Sequence, residues 1–320
     1  MTEINPNEVH AATTELTSDA ALRLVRNGVA QEGVDKLSLD HEQLRSLTPV
    51  TSHKLDSWGV ADQKASGRCW IFAGLNSLRG GLMDKAKLKD FELSQTYIYF
   101  FDKLEKANWF LTAMAELKDR EITDRTVTKL MDDPIDDGGQ WSMFVALVEK
   151  YGVVPQYAMP ETASSEATAM LNRNLQTVLR RAAHRIRSGE EGAHEHALAD
   201  VYRILTANLG LPPEDFVWQY RDKDDEFHRA GTYTPQEFAK EYLPADLSEY
   251  VCMVNDPRTA YGELYTVDYL GNVAGKRVTY LNAPIEVLRD AARASIEDGQ
   301  PVWFGCDTDQ QSDDEHGVWA

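Results

Sequence analysis

The sequence predicts an α+β protein with its helices first and its sheet second. Up to about residue 210 the apolar residues recur at helical spacing, as in Tyr97, Phe100, Phe101 and Leu104. From Glu161 to Leu209 the composition is Ala, Glu, Arg and Leu, with almost no strand formers. After Leu211-Pro212-Pro213 the pattern changes to short runs of β-branched and aromatic residues bounded by turn residues.

In chain order, residues 1–50 form a polar segment with one amphipathic stretch, Ala21 to Val29, that predicts a helix; the rest is expected to wrap over a neighbouring surface. Residues 51–160 form a helical domain. Leu55 to Gly67 reads as a loop and Cys69 to Leu78 as a buried helix. Ser94 is placed to cap a long helix running toward Leu117. The turn Asp132 to Gly139 leads into a helix from Trp141 that Gly152 ends. Residues 161–210 read as a helical insert or arm of two charged helices broken near Ser188-Gly189. Residues 211–320 read as a partial sheet-rich domain. Its strand candidates are Phe216–Tyr220, Tyr250–Val254, Leu264–Leu270, Arg277–Leu281 and Val302–Cys306. Thr234-Pro235-Gln236-Glu237 supplies a capping box for a short helix, and Pro284 to Ala294 is a further helix.

Composition narrows the function classes. The 52 acidic and 33 basic residues among 320 give a formal charge of -19, which argues against broad nucleic-acid binding. A hydrophobic content of 42% supports a sizeable core. Met1 to Glu8 lacks the basic start and apolar stretch of a secretory signal, and nowhere do about 18 apolar residues run together. A cytoplasmic protein without a membrane partner is expected. Three widely spaced cysteines, Cys69, Cys252 and Cys306, imply no disulfide framework and fit a reducing compartment.

The residues Gln63-Lys64-Ala65-Ser66-Gly67-Arg68-Cys69-Trp70 carry the chemistry. At the first turn of a helix, Cys69 meets unsatisfied backbone N–H groups and the positive end of the helix dipole, which favour a thiolate. The same N–H groups can donate to an oxyanion, and Gln63 can bring a side-chain amide to that point. Gly67 permits a close turn. On local features alone, Cys69 fits a buried small hydrophobe equally well, and Gly138-Gly139 reads as a plain turn before a helix.

Gln-x-x-x-Gly-x-Cys-Trp is similar to the papain superfamily. The longer run from Gln63 to Asn76 resembles its bleomycin hydrolase and bacterial aminopeptidase C branch. Further stretches that resemble the branch are Leu93 to Tyr97, Phe101 to Asn108, Asp137 to Trp141, Glu149 to Pro155 and Pro301 to Asp307. Ser66 stands where secreted papain relatives carry a disulfide cysteine. The resemblance implies a papain-like fold, with a helical left domain carrying the nucleophile and a sheet-rich right domain. It implies Cys69 as nucleophile, Gln63 as oxyanion donor, and Asp137, Gly138 and Gly139 as a wall that binds extended substrate. It also implies a thiol aminopeptidase that acts on short peptides through an acyl-enzyme and assembles as a hexamer.

The catalytic histidine and its orienting asparagine find no match in residues 70–320, and the fold reads as incomplete there. His194 and His196 lie in a charged helical segment and are expected to be solvated; His228 sits among charged residues, and only four residues follow His316. In the branch, the stretch matching Pro301 to Asp307 precedes the histidine, so the chain is expected to stop short of its own general base. The alternative is a catalytically inactive papain-like subunit or assembly module. No metal or cofactor is expected: His194-Glu195-His196 is not His-Glu-x-x-His, and Cys252 and Cys306 lack CxxC partners. Gly271 to Lys276 lacks the spacing of a phosphate loop and reads as a hairpin turn.

Overall fold

Capping chemistry sets most helix ends in a computed structural model that describes residues 3–48, 50–55, 59–243, 247–306, 312–313 and 317–319. The chain opens with α1 (Pro6–Ser18), α2 (Ala20–Glu32), α3 (Val34–Ser38) and α4 (His41–Ser46). It continues with α5 (Cys69–Ala86), α6 (Gln95–Glu116), α7 (Arg125–Asp132) and α8 (Trp141–Tyr151). Next come α9 (Ala163–Glu166), α10 (Ala169–Arg187), α11 (Ala193–Leu209), β1 (Phe216–Arg221), β2 (Phe227–Tyr233) and α12 (Pro235–Tyr242). Then follow β3 (Met253–Val254), β4 (Leu264–Thr266), β5 (Thr279–Asn282), α13 (Ile285–Glu297), β6 (Ser312–Asp313) and β7 (Val318–Trp319).

Residues 53–303 form one unit. Its core is built on α5, α6 and α8, whose Ile71, Leu75, Ile98, Phe100, Leu111, Phe144 and Leu147 are fully buried. Each such side chain contributes about 1.5–3 kcal/mol of hydrophobic stabilisation. Helices α10 and α11 pack on α6 through Leu175, Leu179, Val201 and Leu205, so the 161–210 block shares this core. Ser94 caps α6 by accepting from the Tyr97 N–H at 3.1 Å. Gly152, at φ 73°, ends α8. Thr234 and Glu237 form a reciprocal capping box at the start of α12.

The sheet is smaller than the sequence predicts. β1 and β2 form an antiparallel hairpin packed on α12; β3, β5 and β4 form a three-stranded sheet in that order, with β3 parallel and β4 antiparallel to β5. The turn expected at Gly271 to Lys276 lies within the β4–β5 connection. Val302–Cys306 forms no strand, because it finds no ladder partner among the described residues.

The second unit comprises residues 1–52 and 304–320. Its helices α1 to α4 bury no residue, including the amphipathic stretch within α2. β6 and β7 pair antiparallel. Asp307 and His316 lie outside the described residues. Among the described residues, no helix is long and apolar enough to cross a membrane.

Candidate active site

Cys69 is the first residue of α5 and is exposed, while its neighbours Arg68 and Trp70 retain 0% and 4% of their surface. That exposure removes the reading of Cys69 as a buried small hydrophobe. No side chain caps α5; the Ile71 and Phe72 N–H groups donate to the Arg68 carbonyl at 2.9 and 3.0 Å, which leaves the Cys69 and Trp70 N–H groups for a ligand.

The loop before Cys69 is fixed from both sides. The Ser66 hydroxyl donates to the Gln63 carbonyl at 2.5 Å and accepts from Arg68 Nε at 3.0 Å. Arg68 meets both carboxylate oxygens of Glu161, at 3.0 and 2.9 Å. Ser66 therefore ties the Gln63 carbonyl to the Arg68 guanidinium. Gln63 is half-buried, and its Oε1 is buried with no hydrogen-bond partner among the described residues.

The segment 136–139 comes up against this loop. Trp70 Nε1 donates to the Asp137 carbonyl at 2.6 Å, and Thr168 Oγ1 donates to Asp137 Oδ2 at 2.9 Å while accepting from the Gly67 N–H at 3.3 Å. Both glycines are needed for the approach. A Cβ on Gly67 would lie 2.4 Å from Asp137 Cβ, and one on Gly139 would lie 2.5 Å from the Trp70 ring. Asp137 is thus a support beneath the wall, its carboxylate turned to Lys103 (2.7 Å), Tyr99 (3.1 Å) and Thr168.

Sequence reasoning missed what holds this wall from behind. Lys106 Nζ bonds the carbonyl oxygens of Asp136 and Gly138 and pairs with Asp102 (3.0 Å) and Asp136 (3.1 Å). Lys103 Nζ also bonds the Asp136 carbonyl. Asp102, Lys103 and Lys106 are all buried. Burial opposes charge on Lys106, yet Asp102 and Asp136 together hold its pKa above the ordinary lysine value. Burial likewise opposes charge on Asp137, but Lys103, helped by hydrogen bonds from Asn172 and Thr168, outweighs it and its pKa falls to about 2; burial and the neighbouring Lys106 lower the pKa of Lys103 itself, against the pull of Asp137 and Asp102. The available signal was the i,i+4 pair Asp102 and Lys106 on a helix otherwise rich in aromatic residues.

Gly138 and Gly139 also line a cavity of about 480 Å³ whose other walls include Trp109, Pro134, Met143 and Tyr269; Cys69 and Gln63 do not line it. Trp303, from the segment expected to be a strand, donates its indole N–H to the Trp70 carbonyl at 3.3 Å.

His194 and His228 have partners other than Cys69. His194 is half-buried, not solvated as expected, and its Nε2 lies 2.9 Å from Asn108 Oδ1. His196 is exposed. His228 Nε2 lies 2.8 Å from Asp222 Oδ2. No hydrogen bond or ion pair among the described residues joins a histidine to Cys69.

The profile of the Peptidase C1-like family matches residues 3–320. An aminopeptidase C of Listeria monocytogenes is 44% identical over 282 residues, covering 85% of this chain and 64% of the relative. A bleomycin hydrolase of Gallus gallus is 40% identical, covering 95% of this chain and 71% of the relative. The crystal structure of PepW from Lactobacillus rhamnosis superposes with a TM-score of 0.93 at 39% identity, covering 98% of this chain and 73% of that one. The chain thus spans from 64% to 73% of the length of these three proteins. Its helical region and its smaller sheet accord with these matches: the chain belongs to the Peptidase C1-like family, within its aminopeptidase C and bleomycin hydrolase group.

Proposed function

We propose that the protein is a cysteine-type aminopeptidase in which Cys69 is the nucleophile and Gln63 an oxyanion donor. The observation that carries the reading is the exposed thiol of Cys69 at an uncapped helix N-terminus, between two buried side chains. Cys69 attacks the first peptide carbonyl of a short peptide laid along Gly138 and Gly139. The Cys69 N–H and the Gln63 amide stabilise the tetrahedral oxyanion, the amine leaves, and water releases the acyl-enzyme. The Gly138 carbonyl accepts from Lys106, which holds this stretch of backbone in place for the peptide.

The proton steps need an imidazole, first as partner of the thiolate and then as acid for the leaving amine. An Asn or Asp partner is what an orienting residue supplies, but neither His194 nor His228 is hydrogen-bonded to Cys69 among the described residues, so neither is assigned this role. The test is a paired assay on the 320-residue chain: iodoacetamide labelling of Cys69, then aminoacyl-amide turnover with Cys69→Ala as blank. Labelling without turnover is the expected result. Multiple turnovers abolished by His194→Ala, His196→Ala or His228→Ala would overturn the assignment.

A second reading, a non-catalytic papain-like subunit, is favoured by the lack of any histidine bonded to Cys69 among the described residues. The protein purified from its own host distinguishes the two. Turnover lost in Cys69→Ala supports the peptidase, and no turnover supports the subunit. We also infer a cytoplasmic homo-oligomer, a hexamer by relation to the group. Sedimentation as a monomer at micromolar concentration would contradict it.

A further inference from the structure

The β1–β2 hairpin brings together three metal-ligating side chains that lie far from any recognisable sequence motif. Tyr220 is paired with His228 and Arg221 with Phe227, and one step further the Asp222 N–H donates to the Glu226 carbonyl at 3.0 Å. Side chains alternate along a strand and directly opposed residues share a face. Asp222, Glu226 and His228 therefore fall on one face at the hairpin end. One ligand atom from each lies within 4.8 Å of the other two.

We propose that this face binds one first-row transition-metal ion, with Zn²⁺ the expected species, through His228 Nε2, Asp222 Oδ2 and Glu226. Two of the ligands are already positioned. The His228 ring stacks on Tyr220 at 5.0 Å and 22°, which fixes its plane. Asp222 Oδ1 accepts from the N–H groups of Asp224 (3.0 Å) and Glu226 (2.9 Å), leaving Oδ2 facing His228 Nε2 at 2.8 Å. A zinc ion takes its N and O ligands at about 2.0–2.2 Å in a tetrahedron, which sets them about 3.4 Å apart, so Nε2 and Oδ2 separate from their present 2.8 Å as the ion replaces the hydrogen between them. Glu226 is exposed and closes the third position by a change of rotamer. Water completes the fourth.

The donor set gives selectivity. An imidazole with two carboxylates suits Zn²⁺, Cu²⁺, Ni²⁺ and Co²⁺ rather than Mg²⁺ or Ca²⁺, which prefer oxygen alone. The site lies away from the nucleophile. The hairpin turn is tied to the C-terminal end of α5, where the Lys223 N–H donates to the Lys87 carbonyl at 2.7 Å. Cys69 stands at the other end of that helix, about 27 Å away along its axis at about 1.5 Å per residue.

The test uses the full chain with Cys69, Cys252 and Cys306 carboxamidomethylated, so that thiols contribute no metal binding. Calorimetry with Zn²⁺ should show one more site per chain in the wild type than in His228→Ala, and Co²⁺ should give visible d–d absorption that His228→Ala lacks. Losing even a group that merely supports a ligand costs about 10–100-fold in metal affinity, so Asp222→Asn and Glu226→Gln should each weaken binding at least tenfold. Glu226 is exposed whereas the Asp222 side chain keeps only 6% of its surface and holds the turn, so far-UV circular dichroism checks that every variant is folded. Equal stoichiometry and affinity in wild type and His228→Ala would overturn the proposal, as would displacement of Zn²⁺ by millimolar Mg²⁺.

Discussion

The indole N–H of Trp70 donates to the carbonyl of Asp137 at 2.6 Å, joining the residue after Cys69 to the residue before Gly138. Around this bond Gly67 and Gly139 leave no room for a methyl group, since a Cβ on Gly67 would meet Asp137 and one on Gly139 the Trp70 ring. Gly67→Ala and Gly139→Ala should each destabilise the chain by about 1–3 kcal/mol through overpacking. Gly305→Ala, with no neighbour within 4 Å, should stay within about 0.5 kcal/mol of wild type. Urea unfolding measures all three. An unchanged midpoint for Gly67→Ala would show that the loop yields easily.

Removing Lys106 should be more costly. Its partner Asp102 is fully buried, and breaking a buried ion pair from one side typically costs about 3–5 kcal/mol. Lys106→Met should lose stability in that range, and adding Asp102→Leu should restore a large part of it. A double mutant no more stable than the single one would mean that the two groups do not act as a pair.

Asp137 gives the low-pH behaviour a definite sign. Its folded pKa of about 2 lies below the ordinary value of 3.8, so the unfolded chain takes up a proton first as pH falls. The stability contributed by Asp137 is complete above about pH 4 and disappears as pH drops through about 2. Asp102 acts in the opposite sense, because burial, against Lys106 and Lys103, raises its carboxyl pKa. The difference between wild type and Asp137→Asn isolates the first effect. It should be flat above about pH 4 and shrink toward pH 2; a difference constant down to pH 2 would contradict the ion-pair origin.

Gln63 should stabilise a transition state more than it binds substrate. In a catalytically active form of the enzyme, Gln63→Ala should lower kcat by about 10²–10³-fold with a small change in KM. A change in KM alone would place Gln63 in ground-state binding.

Local chemistry was legible in the sequence where it acts over a few residues. The Ser94 cap, the Thr234–Glu237 capping box, the Gly152 terminus and the start of α5 at Cys69 were all predicted and all form. Strands fared worse because each needs a partner that local composition does not name. The Val302–Cys306 run has strand composition without a ladder, whereas β2 forms among charged residues because β1 supplies its partner. The support of the wall was hidden for the same reason. Arg68 meets Glu161 across 93 residues of sequence, and Asn272 donates to Asp102 across 170.

The most direct test of Cys69 as the nucleophile of a peptide-binding cleft compares two electrophiles on two exposed cysteines. The chain is treated with a peptidyl chloromethyl ketone or with iodoacetamide, and mass spectrometry follows adducts on Cys69 and Cys306, both of which are exposed. The account predicts that the peptidyl reagent is strongly favoured over iodoacetamide at Cys69 but not at Cys306. It also predicts that the preference at Cys69 is lost in Gly139→Ala, where the added methyl group forces the wall away from Trp70. The same ratio of rates at both cysteines would contradict it.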